Sequence, residues 1–156
     1  ASGIYHFSRA AANVLVVLRK LDHAMIYVLI AGTYTPLLLG LLPAPRAEVF
    51  TAVIWGVALA GIVMKLCWIN APRWLGTTLY LLLGWAIAID LPALAALPVP
   101  AVALLAAGGL LYTAGGLIYM IKRPNLSERF GFHEIFHLFV IAGSLCHYFL
   151  VLLYIA

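Results

Sequence analysis

Five long apolar runs, separated by short connectors, dominate the chain. A helix needs about 20 mostly apolar residues to cross the hydrocarbon core of a bilayer. These runs are continuous rather than alternating, unlike the strands of an outer-membrane barrel. The pattern therefore predicts an all-α, polytopic transmembrane bundle with five full spans. The runs cover residues 21–42, 49–68, 75–91, 99–121 and 132–156.

The residues ahead of the first run predict an incomplete helix. Residues 1–7 have the pattern of a helix already in progress, and the sequence starts at Ala1 rather than at a methionine. We therefore expect residues 1–156 to form a single transmembrane domain that is a piece of a longer protein. Residues 10–18 are apolar but too short to span a bilayer, so we expect them to form an interfacial turn or helix.

Composition supports a membrane protein. Hydrophobic residues make up 66% of the 156 residues and charged residues 9%, whereas soluble domains average about 45–50% apolar and about 25% charged. These values exclude a soluble domain, a disordered chain and a coiled coil. The net charge of +4 is then explained by basic membrane loops. We expect membrane lipids, and no nucleic acid, as partners.

The distribution of basic residues predicts the orientation. All but one of the nine lysines and arginines fall at one end of the bundle, and cytoplasmic loops are enriched in these residues. That end is predicted to face the cytoplasm from a bacterial inner membrane, with the C-terminus outside. Arg46 lies at the other end with Asp90, which we expect to be a solvated helix end. The basic end holds Arg9, Arg19, Lys20, Lys65, Arg73, Lys122, Arg123 and Arg129.

Ionisable groups inside membrane spans are costly and by default mark function. Four of them converge on the predicted cytoplasmic end. His133 and His137 open the last run, Asp22 opens the first run, and His6 ends the N-terminal segment. The sequence pattern and the predicted topology are independent arguments, and both place these groups at one depth.

The spacing of these groups indicates a metal site. His133 and His137 are four residues apart and share one helix face, so their imidazoles can hold one ion, with His6 as a third ligand. Zinc held by three protein ligands keeps a fourth position for water and lowers the pKa of that water to about 7. Asp22 could orient the water and accept its proton. Ser2 lies four residues before His6, and its hydroxyl could steady a ligand or donate to an oxyanion.

A second interpretation of the last run stays open. Residues 133–137 also fit the HExxH signature of zinc peptidases, in which Glu134 would be the general base. That interpretation needs neither His6 nor Asp22 and does not explain why they lie at the same depth. His23 points about 100° away from Asp22, and His147 lies about 15 Å beyond His137, so both are left out of the site.

Other polar residues in the runs have packing explanations. Ser144 and His147 fall on the face of the paired histidines, where they line a polar cavity or bond to neighbouring helices. The hydroxyls at positions 33–35 precede Pro36 and are expected to repair a proline kink. The glycine pairs at positions 108–109 and 115–116 place small residues on one helix face, which favours close helix contact.

These residues resemble the bacterial hemolysin III family, which is similar to the progestin and adipoQ receptors, including the adiponectin receptors. The resemblance covers essentially the whole chain and rests on an ordered set: Ser-x-x-x-His at positions 2–6, Leu-Asp-His at 21–23, and His-x-x-x-His at 133–137. Family members have seven transmembrane helices, so the first helix and most of the second would be missing here. The family pattern implies Zn²⁺ held by His6, His133 and His137, with Asp22 reaching the zinc through water and Glu134 not a ligand.

The resemblance implies two classes of function. The related alkaline ceramidases imply a metal-dependent membrane hydrolase of lipid-like amides, in which Asp22 handles the proton and Ser2 helps to stabilise the oxyanion. The alternative is a non-enzymatic membrane protein, either receptor-like or cytolytic and channel-type, in which zinc is structural. The sequence alone leaves open whether the protein is an enzyme.

Overall fold

The computed structural model describes residues 12–68, 71–127 and 130–155. Within these ranges the chain is helical and contains no strand. Ser2 and His6, two of the predicted site residues, lie outside the described residues. The helices are α1 (Ala12–Leu41), α2 (Arg46–Cys67), α3 (Arg73–Gly84), a 3-10 turn (Ala86–Ile89), α4 (Leu91–Ala95), α5 (Val99–Ile121) and α6 (Phe132–Tyr154).

Four described helices are long and apolar enough to cross a membrane: Lys20–Leu41 within α1, and α2, α5 and α6. The helical, membrane-type architecture agrees with the sequence prediction, but the predicted count of five full spans is not matched. The third apolar run does not form one helix, because α3 ends at Gly84 after 12 residues. A 3-10 turn and the short α4 follow it. Hydropathy missed this break because the side chains remain apolar on both sides of it.

Tyr34 of α1 explains why the chain can break at Gly84. Its buried hydroxyl donates a hydrogen bond to the carbonyl of Gly84 at 2.7 Å and accepts one from the amide of Ile87 at 3.1 Å. Irregular backbone at membrane depth requires such partners from the protein, since the hydrocarbon offers none. Tyr34 therefore takes the place of the helical hydrogen bonds that the break removes.

The kink-repair prediction for positions 33–35 is wrong: Pro36 frees the carbonyl of Gly32, whereas Tyr34 bonds to another helix and the two threonines bond to other carbonyls of α1. Thr33 donates to the carbonyl of Leu29 at 2.8 Å, and Thr35 donates to that of Ala31 at 2.9 Å. Both bonds run back one turn, as serine and threonine hydroxyls commonly do in helices.

Asp90, predicted to be a solvated helix end, is buried. Only 3% of its surface is exposed, and its Oδ2 lies 2.6 Å from the guanidinium of Arg46 at the start of α2. The sequence placed both residues at the end of the bundle away from the histidines, but it gave no sign that they pair. The ion pair joins the chain after the break to α2.

Two closely packed helix pairs build the bundle. In the pair α1 and α2, Tyr27 lies against Gly61, where a Cβ would approach its ring to 2.4 Å. In the pair α5 and α6, the ring of His147 lies against Gly108, where a Cβ would approach Nε2 to 2.5 Å. Side chains at these glycines would force the helices apart, which is the packing role that the sequence predicted for positions 108–109 and 115–116.

The start of α1 differs from its prediction. Residues 12–18 are continuous with the long helix α1 rather than forming a separate interfacial element. Residues 10 and 11 lie outside the described ranges. The helix carries Lys20, Asp22 and His23 within one turn, near the end of the bundle where α6 begins.

Candidate metal site

The connector before α6 fixes the first turn of that helix. The side-chain amide oxygen of Asn125 accepts a hydrogen bond from the Phe132 amide at 3.1 Å, and Glu134 Oε2 accepts one from the Gly131 amide at 2.9 Å. These bonds satisfy amides that a helix start leaves without intrahelical partners. His133 therefore sits in a capped first turn, and His137 follows one turn later on the same face.

The two histidines and Asp22 form one cluster. The Nε2 atoms of His133 and His137 lie 3.1 Å apart, and Asp22 Oδ2 lies 3.8 Å from His133 Nε2. One ligand atom from each residue falls within 4.8 Å of the others. Asp22 is 6% exposed, whereas both histidines are half-buried. The structure thus brings together three of the five site residues that the sequence predicted.

Contacts from three other helices hold the start of α1 in place. Lys20 donates from Nζ to the Leu66 carbonyl near the end of α2 at 2.8 Å, where a cation favours the helix dipole. The hydroxyl of Tyr119 on α5 lies 2.7 Å from His23 Nε2, and that of Tyr80 on α3 donates to the His23 carbonyl at 3.1 Å. Asp22, which precedes His23, is held at the level of the histidines by these bonds.

Aromatic rings form a wall beside His133. The Tyr119 ring centroid lies 6.0 Å from that of His133 and 5.1 Å from that of Phe136, and Phe136 lies 6.2 Å from His133. The sequence reasoning missed Tyr119 and Tyr80, which stand in apolar runs without a motif. The one feature that could have indicated them is the tyrosine hydroxyl itself, because a hydroxyl buried in an apolar run needs a hydrogen-bond partner.

The donor set fits a first-row transition metal. Imidazole nitrogen and carboxylate oxygen both bind zinc at about 2.0–2.2 Å, and imidazole also suits copper, iron and nickel. Two nitrogens sharing a tetrahedral zinc at these bond lengths lie about 3.3 Å apart, close to the 3.1 Å between His133 and His137. The third histidine predicted for the metal, His6, and the predicted oxyanion donor, Ser2, lie outside the described residues.

Glu134 and Ser144, two further polar residues of α6, have hydrogen-bond partners outside the cluster. Glu134 is engaged as the cap of its own helix through Gly131. Ser144 donates to the Val140 carbonyl at 2.8 Å and lies 2.9 Å from the Tyr112 hydroxyl. His147 is buried against α5 and is not a member of the described cluster of metal-binding side chains.

An apolar cavity lies inside the bundle next to the aromatic neighbours of His133. At one end it is lined by Tyr119 and Phe136, the aromatic neighbours of His133, and at the other end by Gly109 and Trp85. Side chains of α1, α3, α5 and α6 form its wall. Tyr119 and Phe136 therefore border both the cluster and the cavity.

Comparisons with known proteins agree with the sequence resemblance. The family model described as haemolysin-III related matches residues 1–148. The chain is 40% identical over 139 residues to a protein named hemolysin-3 homolog from Bacillus subtilis (strain 168), covering 88% of the chain and 63% of that protein. It is 39% identical over 136 residues to hemolysin-3 from Bacillus cereus, covering 86% of the chain and 60% of that protein. The chain thus spans about three fifths of these relatives, and no solved structure matches it significantly.

Proposed function

Because the chain belongs to the hemolysin III family of integral membrane proteins, we propose that it contributes the core of a zinc-dependent intramembrane hydrolase of lipid-like amides. The observation that carries this proposal is the cluster of Asp22, His133 and His137 beside the apolar cavity. A metal ion held by these side chains would suit hydrolysis of an amide bond, and the cavity suits the acyl chain attached to the amide carbonyl.

His133 and His137 would hold the ion, with His6 as the proposed third ligand. A zinc ion so held supplies a Lewis acid for the carbonyl and a source of hydroxide at neutral pH. The distance from Asp22 to His133, 3.8 Å, is longer than that between the two histidine nitrogens. This difference favours Asp22 as a residue that reaches the ion through water rather than as a direct ligand.

Asp22 is proposed to move the proton. Its buried carboxylate would accept the proton from the attacking water and pass it to the amide nitrogen as the carbon–nitrogen bond breaks and the new carbon–oxygen bond forms. The products are then a carboxylic acid and an amine. Ser2 is the proposed hydroxyl donor to the oxyanion. The aromatic wall of Tyr119 and Phe136 excludes water from the cavity side of the reacting carbonyl.

The site is proposed to face the cytoplasm from a bacterial inner membrane, with the C-terminus outside. Lys20 near the start of α1, Lys65 near the end of α2 and Lys122 after α5 fall at the end where the cluster lies. This clustering of cations supports a cytoplasmic location for the cluster by the positive-inside rule.

The test compares metal content and turnover of an N-acyl amide in the purified full-length protein. His137→Ala should lose both the metal and turnover. Asp22→Asn should keep most of the metal and lose turnover by about 10²–10⁴-fold, the usual contribution of a general acid–base group. Glu134→Gln is the matched control, because it changes a neighbouring carboxylate outside the cluster and should keep both properties. Retention of metal and turnover in His137→Ala would refute the proposal.

A non-enzymatic role with structural zinc is the second candidate. The observation that favours it is that the cluster joins α1 to α6, so an ion there would tie two helices together. In that case His137→Ala would lower thermal stability by as much as chelation does, and the parent protein would show no turnover. The names of the relatives, hemolysin-3 and its homolog, would then indicate a cytolytic activity. A peptidase that uses Glu134 as its base would instead lose turnover in Glu134→Gln and keep it in Asp22→Asn.

A further inference from the structure

Trp85 lines two cavities of the bundle. The cavity bordered by Tyr119 and Phe136 is also lined by Gly84, Trp85 and Gly109, and these same three residues line a second cavity. The second cavity is also lined by Leu94 and His147. The wall that the two spaces share therefore consists of one large side chain and two glycines.

The indole of Trp85 is fixed in this position by α5. Its Nε1 donates to Thr113 Oγ1 at 3.0 Å, and Thr113 Oγ1 donates to the Gly109 carbonyl at 2.7 Å. A Cβ at Gly109 would meet the indole at 3.4 Å, so the ring lies in van der Waals contact with this turn of α5. Both the hydrogen bond and the contact oppose rotation of the side chain.

The break after α3 places Trp85 where a regular helix would not. Trp85 is the first residue after Gly84, in the turn that the Tyr34 hydroxyl holds through its bonds to Gly84 and Ile87. A broken helix in a membrane is tolerated where it is buried in protein or lines a cavity.

We propose that Trp85 is the residue that limits the length of the hydrocarbon chain accepted by the cavity. The inference rests on the proposed function, in which the carbonyl of a lipid amide lies at the metal cluster and its chain extends toward Trp85. Tyr119 and Gly109, at the two ends of the cavity, are ten residues apart on α5, which corresponds to about 15 Å of helix. Alanine at position 85 would join the two cavities and let a longer chain reach the level of His147.

Gly116 offers the opposite change. It lines the same cavity, and a Cβ there would lie 3.3 Å from Thr77 Cγ2 and 3.4 Å from Leu81 Cδ2, both of which also line it. Gly116→Ala therefore narrows the middle of the cavity and should weaken the binding of long chains. A single mechanism thus predicts opposite shifts for two substitutions.

The experiment measures binding of saturated N-acyl ethanolamides, from octanoyl to eicosanoyl, by competition with a photoreactive N-acyl amide on the full-length protein. Because an acyl chain gains little on passing from detergent or lipid into an apolar cavity, affinity referred to the amide in the micelles should change little while the chain fits and should fall once the chain is longer than the distance to Trp85. In Trp85→Ala this fall should come at longer chains, and in Gly116→Ala it should come at shorter ones. Trp85→Phe, which removes part of the ring and the bond to Thr113, should move the limit less than alanine does.

Trp55→Ala is the matched control. Trp55 also donates from Nε1 to a threonine hydroxyl at 3.0 Å, that of Thr35, but it lines neither cavity. Its replacement should leave the length limit unchanged. Because Trp85 is 42% exposed, its replacement removes fewer packing contacts than replacement of a core residue. If the alanine variant does not fold, the length limit is measured in Trp85→Phe instead.

The outcomes separate this inference from the proposed function. If both Trp85 variants keep the parent's length limit, Trp85 is not the stop, whatever the metal content and turnover show. If the limit shifts as expected in a protein that binds the amides but never hydrolyses them, the chain-length inference holds and the hydrolase proposal fails. If the parent protein binds none of the amides, whatever their chain length, both the chain-length inference and the hydrolase proposal fail.

Discussion

Removing the hydroxyl of Tyr34 should destabilise the protein by about 2 kcal/mol. Tyr34→Phe deletes the donor to the Gly84 carbonyl and the acceptor of the Ile87 amide, and each such bond contributes about 1 kcal/mol net. Tyr34 is 6% exposed, so water does not replace the lost partners. For a chain of this size each kcal/mol shifts the melting temperature by about 2–4 °C. The expected loss is therefore roughly 4–8 °C.

Thermal unfolding in detergent micelles, with hydrogen exchange at the break, measures this effect. The Ile87 amide loses its acceptor and should exchange about fivefold faster, the factor that corresponds to about 1 kcal/mol. Tyr148→Phe is the control, because Tyr148 is 59% exposed on α6 and its replacement should change neither quantity. A Tyr34→Phe protein with the melting temperature of the parent and unchanged exchange at Ile87 would refute the role given to this hydroxyl.

Two further predictions concern charged groups. Arg46→Gln should lower the free energy of unfolding by about 1–2 kcal/mol, because it removes the cationic partner of the buried Asp90 carboxylate. This loss is smaller than for a fully buried ion pair, since the Arg46 side chain is 55% exposed. Asp90→Asn should cost less than Arg46→Gln, because the half-exposed guanidinium stays solvated, and the reverse order would contradict this account. Glu134→Ala should lower the free energy of unfolding by about 1 kcal/mol, because it removes the acceptor of the Gly131 amide. Glu134→Gln keeps an oxygen acceptor and should lower it less. Equal stabilities of the two variants would rule out the capping role.

The sequence predicted the features of this molecule that depend on local periodicity. The four long apolar helices follow from run length, and the convergence of Asp22 with His133 and His137 follows from helix spacing combined with topology. Both arguments use only which residues are apolar or ionisable and how far apart they stand along the chain. They need no knowledge of how neighbouring side chains pack.

The features that the sequence did not reveal depend on contacts between distant segments. The break after Gly84 is made possible by a hydroxyl 50 positions earlier in the chain, and the burial of Asp90 depends on Arg46. Neither partner belongs to a motif. Tyr119 was overlooked for the same reason, since its contact with His23 spans 96 positions. Pairings of this kind require knowledge of which helices are neighbours.

In the proposed hydrolase, the position of the polar cluster beside one end of an apolar cavity would determine which part of a lipid-like molecule reacts. An acyl chain passes from the bilayer into an apolar cavity at little cost, because lipid tails are as apolar as the lining, whereas a polar headgroup is costly to bury without partners. In the proposed complex a chain therefore occupies the cavity and leaves its polar end near Asp22 and His133. In the same proposal the turn after α3 sets a second boundary, because Trp85, which lines the far end of the cavity, would stop the chain there. With both ends defined, the carbonyl of a chain that fits lies at the cluster, while a longer chain would hold its carbonyl short of it. On this reasoning, selection by chain length and positioning for chemistry are consequences of the same two boundaries.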